Sequence, residues 1–188
     1  QYTAQLAATR MEESHAVARR LATLLPWSAN AHRLVAQTAF LQRDLDQAAS
    51  ALASASALAP WRSEARLALA ELAQWKGDTE AARTLYEDVI RRTPYFSPYP
   101  SLRLAQLRRK AGDSGGADAL LQEATETRFP LNDDLASQSY FLVRTPTVAH
   151  LRRLYRAYVR SLEAQGKSED ADVVRDRWVK IPHLPRLE

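Results

Sequence analysis

The sequence predicts an all-α protein, a right-handed solenoid of stacked helix pairs, and three observations support this class. Pro26, Pro60 and Pro94 stand 34 residues apart, and an aromatic residue follows each of them. Alanines recur at the same places between these prolines, as at Ala36 and Ala70. Only 5 of the 188 residues are Gly, while Ala and Leu dominate, which favours helices over sheets closed by tight hairpins. A fixed period of this length is typical of helical repeat proteins.

Each period divides into two helices. In the first full period, apolar residues at helical spacing predict one helix from about residue 30 to residue 42. A second helix then runs to the next proline, because Pro cannot continue a helix. Two of the short breaks between paired helices contain Gly followed by Asp, at Gly77–Asp78 and Gly112–Asp113. Gly suits the left-handed residue that closes a helix, and Asp suits the N-cap of the next one.

Small residues at fixed positions give the chain its family resemblance. In the unit 29–62 these positions hold Ala36, Ala48 and Pro60, and later units repeat the pattern. This resembles the tetratricopeptide repeat family, whose unit of about 34 residues has small residues where its helices cross and a Pro near its end. The resemblance covers residues 29–130, about half of the chain. The aromatic residues usual in the family's first helix are missing from the first two units, so the repeats are divergent.

The repeat period also predicts how the chain is organised, as one solenoid domain. Terminal units are expected to cover the apolar faces that the stack would otherwise expose. The predicted segments are a truncated N-terminal repeat at 1–28, repeats at 29–62, 63–96 and 97–131, an extra helical insert at 132–147, and a C-terminal helix pair with a cap at 148–188.

The charge balance argues against a nucleic-acid partner. The chain has 26 Lys and Arg against 22 Asp and Glu, a net charge of +4. Proteins that bind nucleic acid concentrate a larger basic excess on one face, so we expect no such partner. No apolar run approaches the length of about 18 residues that crosses a bilayer.

The start of the chain suggests a fragment. It begins at Gln1, without Met and inside a helical unit, so we expect a soluble domain of a larger bacterial protein. The chain has no Cys, which excludes disulfides and thiolate chemistry. Together these features favour a membrane-anchored parent with this domain on the periplasmic or extracytoplasmic side.

Short motifs do not indicate catalysis. The string from Gly112 to Gly116 copies the sequence around the nucleophilic Ser of trypsin-like proteases, but it falls on a turn between two predicted helices. No His stands in a matching context for Ser114, and a triad is defined by geometry. The four histidines are far apart in sequence, which makes a metal site improbable. We therefore expect no enzyme activity, no metal and no cofactor.

Two further patterns each allow two interpretations. Trp27, Trp61 and Tyr95 follow the repeat prolines, and we predict that they pack between units; the alternative is a ladder that stacks on bases or sugars. Arg152, Arg156 and Arg160 recur every four residues on one predicted helix. They are either a solvated face or a site for an acidic partner.

The family resemblance implies a binding surface. In tetratricopeptide repeats the first helices line a concave groove, and fixed positions of these helices face the ligand. A mixed polar and aromatic groove suits an extended peptide or a partner helix. Trp75, in the second full unit, could instead be buried between helices. The positions correspond to Arg33, Gln37, Phe40, Glu71, Gln74, Trp75, Gln106 and Arg109.

Three functions follow from these patterns. We predict a non-catalytic interaction scaffold that binds a peptide or protein in the concave groove. One alternative is an accessory repeat domain of a bacterial cell-envelope polysaccharide polymerase, ligase or exporter. The other is a helical repeat that binds RNA, which the basic isoelectric point permits but the mixed charges do not favour.

Overall fold

The structure, a computed structural model, describes residues 2–95, 97–127, 129 and 147–181. All regular secondary structure in these residues is α-helical, which confirms the predicted all-α class. The described helices are α1 Tyr2–Leu24, α2 Ala29–Leu41, α3 Leu45–Leu58, α4 Glu64–Trp75, α5 Thr79–Arg92, α6 Tyr99–Lys110, α7 Ser114–Glu126, α8 Thr147–Ala164 and α9 Ser168–Val179.

The turns between paired helices have the chemistry that their sequences predict. Gly77, Gly112 and Gly166 adopt positive φ angles of 82°, 85° and 74°, where a residue without Cβ is unstrained. After Gly77 and Gly112 a side-chain oxygen caps the following helix, as where Asp113 Oδ1 accepts the Gly116 backbone N–H at 2.8 Å. The helix after Gly166 has no side-chain cap. The first pair differs, because Arg43 takes the left-handed position with φ 62°.

The chain divides into two compact units, residues 1–85 and residues 86–188. In unit 1, α2 packs against both α1 and α3, and α3 packs against α4. Its helices cross at alanines, since Ala36, Ala39 and Ala48 are fully buried. A side chain without γ atoms lets two helix backbones approach closely, which explains why the repeat pattern is a pattern of alanines.

Unit 2 has larger side chains in its core. Helix α8 packs against α6, α7 and α9. The ring of Trp178, 1% exposed, meets the ring of Tyr155 edge to face with centroids 5.2 Å apart. The Tyr155 hydroxyl donates to the Thr125 carbonyl oxygen at 2.8 Å, so this buried polar group has a partner. These contacts join α7, α8 and α9 into one core.

Two predicted segments lie outside the described residues: 132–146 of the helical insert and 182–188 of the cap. Within the described helices, none is both long and apolar enough to cross a membrane.

The prediction that the aromatic residues after the repeat prolines pack between units is wrong. Trp27, Trp61 and Tyr95 are 70%, 75% and 66% exposed. Each lies in the short turn after its proline, outside the helices, so its side chain points to solvent. In the turn around Trp61, the small residues Ala59 and Ser63 are buried instead.

Candidate functional site

Six of the predicted site residues lie on α2 and α4 of unit 1. Arg33, Gln37 and Phe40 recur at intervals of three and four residues, so they lie along one side of α2. Glu71, Gln74 and Trp75 belong to the last two turns of α4.

The two helices meet at an aromatic pair. The rings of Phe40 and Trp75 have centroids 5.6 Å apart and an interplanar angle of 87°, an edge-to-face arrangement. Such a pair contributes about 0.5–1.5 kcal/mol beyond the area that it buries. Trp75 is nonetheless 63% exposed, and Leu41, next to Phe40 in sequence, is 55% exposed. The alternative that Trp75 is buried between helices is therefore excluded, and an apolar patch of Phe40, Leu41 and Trp75 faces solvent.

Polar side chains border this apolar patch. Arg33, Gln37 and Gln74 are half-buried, with part of each side chain accessible. At the end of α4, Lys76 Nζ donates to Asp46 Oδ1 at 2.6 Å, next in sequence to Trp75. This hydrogen bond and the charge of Lys76 hold the pKa of Asp46 below its ordinary value.

Glu71 differs from its predicted placement at an open surface. It is 3% exposed, which leaves almost none of its side chain accessible to a partner. Leu67 and Ala68, one turn earlier on α4, are buried as well, so Glu71 lies on the packed side of the helix.

The two predicted site residues of unit 2 lie on α6. Gln106 is exposed, and its Oε1 accepts a hydrogen bond from Arg103 Nη1 at 2.9 Å. Arg109 donates to Asp118 Oδ1 at 2.7 Å, and Asp118 also accepts from Ser161 and Gln165. Arg109 therefore joins α6 to α7 within unit 2. Sequence reasoning missed this cluster, because Ser161 and Asp118 are 43 residues apart.

The pKa of Asp118 reflects the same cluster. Partial burial alone would raise it, but the hydrogen bonds from Ser161, Arg109 and Gln165 and the charge of Arg109 outweigh burial. The pKa of Asp118 consequently lies below its ordinary value, and the carboxylate is charged at neutral pH.

The protease-like string has a structural explanation. Ser114 is the exposed first residue of α7, and Asp113 before it caps that helix. A Cβ at Gly116 would meet the Asp113 carboxylate in its present position, so a larger residue there would require that side chain to shift. Among the described residues, no cluster of three or more His, Asp or Glu side chains could hold a metal ion.

The histidines have local roles where they are described. His32 Nε2 donates to the Pro26 carbonyl oxygen at 3.0 Å, and His15 Nδ1 lies 2.8 Å from the Thr38 hydroxyl. His150 is fully buried, with its ring centroid 4.7 Å from that of Tyr99. His183 lies outside the described residues.

One open cleft was not predicted. It has a volume of about 340 Å³ and lies in unit 1, where the end of α1 meets α2 and α3. Arg19, His32, Gln47 and Ser50 contribute its polar atoms. Its residues come from three helices, and the repeat pattern gives no signal for them.

The comparisons with known proteins agree with this architecture. Residues 39–99 match the family model for the tetratricopeptide repeat. No curated protein matches the chain in sequence.

Several solved structures have a similar fold. The structure of MamA has a TM-score of 0.63 at 11% identity, with 94% of this chain and 91% of that chain covered. YrrB, described as a tetratricopeptide repeat protein with an unusual peptide-binding site, has a TM-score of 0.56 at 10% identity. The match covers 96% of this chain and 84% of YrrB. Repeats of a putative kinesin light chain from Podosopora anserina have a TM-score of 0.55 at 14% identity, with 94% of this chain and 91% of that chain covered. These likenesses show the fold.

Proposed function

We propose that this chain is a non-catalytic interaction scaffold that binds a protein or peptide partner on the exposed sides of its first helices, because residues 39–99 match the tetratricopeptide repeat model and the fold is similar to that of solved repeat proteins. The family's members are generally scaffolds of this kind. YrrB, which shares the fold, is described as having a peptide-binding site.

The observation that carries the proposal is the exposed apolar patch of Phe40, Leu41 and Trp75. A tryptophan that is 63% exposed keeps a large apolar surface in water, which costs free energy unless a partner covers it. Phe40 holds the indole ring from one side through the edge-to-face contact. The ring is thus ordered before binding, which reduces the entropy that a partner must offset.

The polar border suits a peptide backbone or a partner helix. Gln37 and Gln74 offer both hydrogen-bond donors and acceptors, and Arg33 offers donors only. An apolar centre with a polar rim is the usual anatomy of a protein interface. We therefore propose Phe40, Leu41 and Trp75 as the anchor surface, with Arg33, Gln37 and Gln74 around it.

Truncation of Trp75 tests this proposal against a matched control. Peptides selected from a displayed random library on the wild-type protein serve as ligands. We expect Trp75→Ala to weaken binding of a selected peptide by about 1–3 kcal/mol, because aromatic anchors dominate interface energies. The melting temperature should change little, since the side chain is mostly exposed.

Trp61→Ala is the control, because Trp61 is also an exposed tryptophan of unit 1 but lies in a turn between repeats. Its truncation should leave the affinity within about 0.5 kcal/mol of wild type. Equal losses of affinity in the two variants would mean that the α2–α4 surface is not the anchor.

The exposed turn tryptophans favour a second candidate, an accessory repeat domain of a bacterial cell-envelope polysaccharide protein. Trp27 and Trp61 present most of their rings to solvent. An exposed indole can stack on a sugar ring. Beside Trp61, Arg62 Nη1 donates to Asn30 Oδ1 at 3.2 Å, so polar groups for sugar hydroxyls are close.

Titration with soluble bacterial capsular polysaccharide, followed by isothermal titration calorimetry, tests the second candidate. The double variant Trp27→Ala/Trp61→Ala should abolish binding, whereas Trp75→Ala should preserve it. Polysaccharide binding that survives the double variant would remove this candidate.

A further inference from the structure

Unit 2 carries a row of arginines on α6 and α8, which we call the basic face: Arg103, Arg152, Arg153, Arg156 and Arg160. The four on α8 lie opposite its buried side chains, which include Leu154, Tyr155 and Tyr158 in the described core. The stretch from Arg152 to Arg160 is about 12 Å long at 1.5 Å per helical residue.

Contacts in the core bring Arg103 of α6 to this row. The ring of Tyr99 packs against His150 of α8 at a tilt of 50°, and the Arg103 guanidinium lies 5.9 Å from the centroid of the Tyr99 ring. Arg103 and Arg153 both act electrostatically on His150, so they approach it from the two helices. The basic face is therefore one surface formed by two neighbouring helices of unit 2.

The arginines of the basic face differ from the other described arginines of unit 2 in their partners. None of the five forms a salt bridge with any described residue, and the Nε atoms of Arg103 and Arg156 are buried without a hydrogen-bond partner there. The remaining described arginines of unit 2 each pair with a carboxylate: Arg91 and Arg92 with Asp88, Arg108 with Glu87, Arg109 with Asp118, Arg175 with Asp172 and Glu163, and Arg177 with Glu126.

Most acidic residues in the described helices of unit 2 lie on helices other than α6 and α8. Helix α6 has no acid, and the one acid of α8, Glu163, pairs with Arg175. Like charges four residues apart on a helix repel each other, so the basic face has an electrostatic cost that nothing described in unit 2 offsets. The acids of the second helices are Asp118, Glu123 and Glu126 on α7, and Glu169, Asp170, Asp172 and Asp176 on α9.

We infer that the basic face of unit 2 binds a carboxylate-rich segment of a partner protein. Arginine presents a planar fork of donors that matches a carboxylate with two parallel hydrogen bonds. An acidic segment with carboxylates about one helical turn apart would pair with Arg152, Arg156 and Arg160 in succession. Each pair would remove repulsion within the row.

Nucleic acid fits this surface less well. Proteins that bind single strands combine basic grooves with aromatic rings on which bases stack. The tyrosines of α6 and α8, Tyr99, Tyr155 and Tyr158, are buried and offer no such platform. A long polyanion would also extend past α7 and α9, whose acids repel it.

Charge reversal on α8 tests the inference. The probe is a synthetic fluorescent peptide of alanines with glutamates four positions apart, and its counterpart has glutamines at those positions. We expect the glutamate peptide to bind the wild-type protein more tightly than the glutamine peptide by at least about tenfold. In the variant Arg152→Glu/Arg156→Glu/Arg160→Glu, binding of the glutamate peptide should fall by at least about tenfold.

The matched control is Arg10→Glu/Arg19→Glu/Arg20→Glu, which changes three exposed arginines of α1 and alters the net charge by the same amount. It should change affinity by less than about twofold. Circular dichroism and melting temperature must show that both variants fold. Equal losses in the two variants, or no discrimination between the two peptides, would overturn the inference.

Two other outcomes would also overturn it. A single-stranded oligonucleotide of equal charge that binds more tightly than the glutamate peptide would assign the surface to nucleic acid. Salt-sensitive self-association of the wild-type protein, abolished by the α8 variant, would assign it to a second copy of the chain. The inference does not depend on the apolar patch of unit 1, since Trp75→Ala should leave binding of the glutamate peptide unchanged.

Discussion

The two units differ in where their described tryptophans lie. Unit 1 exposes Trp27, Trp61 and Trp75, and its described core is built largely from alanine and leucine. Unit 2 buries Trp178 and Tyr155 in its core. Its first helices, α6 and α8, carry the arginines of the basic face, which form no salt bridge with any described residue.

This difference shows which part of a helix pair is constrained by the fold. The positions where helices cross must pack, and in unit 1 they are satisfied by residues as small as Ala36 and Ala48. The outward side of a first helix makes no contact that the fold requires. The same architecture can therefore present an apolar patch in one unit and a basic face in the other.

Removal of the largest buried ring should have the largest effect. Trp178→Ala should lower the free energy of unfolding of unit 2 by about 3–5 kcal/mol, because it leaves a cavity against Tyr155. Amide hydrogen exchange, read separately for each unit, measures this loss. Trp27→Ala, which truncates an exposed ring, should change stability by less than about 0.5 kcal/mol. Comparable losses in the two variants would contradict the contrast between the units.

Acid should weaken unit 2 through His150. Burial, together with the charges of Arg153 and Arg103, lowers the pKa of His150 from 6.5 to about 4. The unfolded chain therefore takes up a proton near pH 6.5, whereas folded unit 2 does so only near pH 4. Stability that is present above pH 6.5 is lost as the pH falls, by about 3 kcal/mol at pH 4.

Substitution of the ring isolates this effect. His150→Phe keeps an aromatic ring against Tyr99 but cannot be protonated, so loss of stability between pH 6.5 and pH 5 should disappear. This window lies above the range in which most carboxylates titrate. Urea denaturation at a series of pH values measures the change. An unchanged acid dependence in His150→Phe would assign it to other groups.

Removal of a helix cap should have the smallest effect on stability, and a similar effect in both units. Asp44 accepts the Gln47 N–H at 2.9 Å in unit 1, and Asp113 accepts the Gly116 N–H at 2.8 Å in unit 2. Replacement of either by Ala should cost about 1 kcal/mol, because one helix N-terminus loses its side-chain acceptor. Thermal unfolding of the two variants compares them. Markedly unequal losses would mean that the units differ in local helix formation as well as in their cores and surfaces.

The sequence was sufficient to predict the elements, because their signals are local. A Gly with a positive φ, an Asp at an N-cap and a Pro that ends a helix act within a few residues, as at Gly112 and Asp113. The predicted tetratricopeptide repeat is confirmed over residues 39–99 for the same reason, since the small residues of the repeat recur at a fixed period. The binding role of the site residues stays a prediction.

Side-chain direction was less predictable, because it depends on packing between distant residues. The burial of Glu71 follows from which side of α4 packs, and the exposure of Trp61 follows from the path of the turn. The pairing of Arg109 with Asp118 was not predicted, although both residues lie in one repeat. No spacing rule reports how the helices of a pair rotate about their axes.

The separation of charge within unit 2 has a kinetic consequence. With an excess of arginines on α6 and α8 and an excess of acids on α7 and α9, the described helices of this unit have an electric dipole, although the whole chain has a net charge of only +4. The field of an approaching charged body exerts a torque on this dipole, so unit 2 can reach productive orientations before contact. The encounter rate should depend strongly on ionic strength while the lifetime of the complex depends on it less. In dilute salt the field extends farther, and unit 2 would then turn its basic face towards an acidic body before the two surfaces touch.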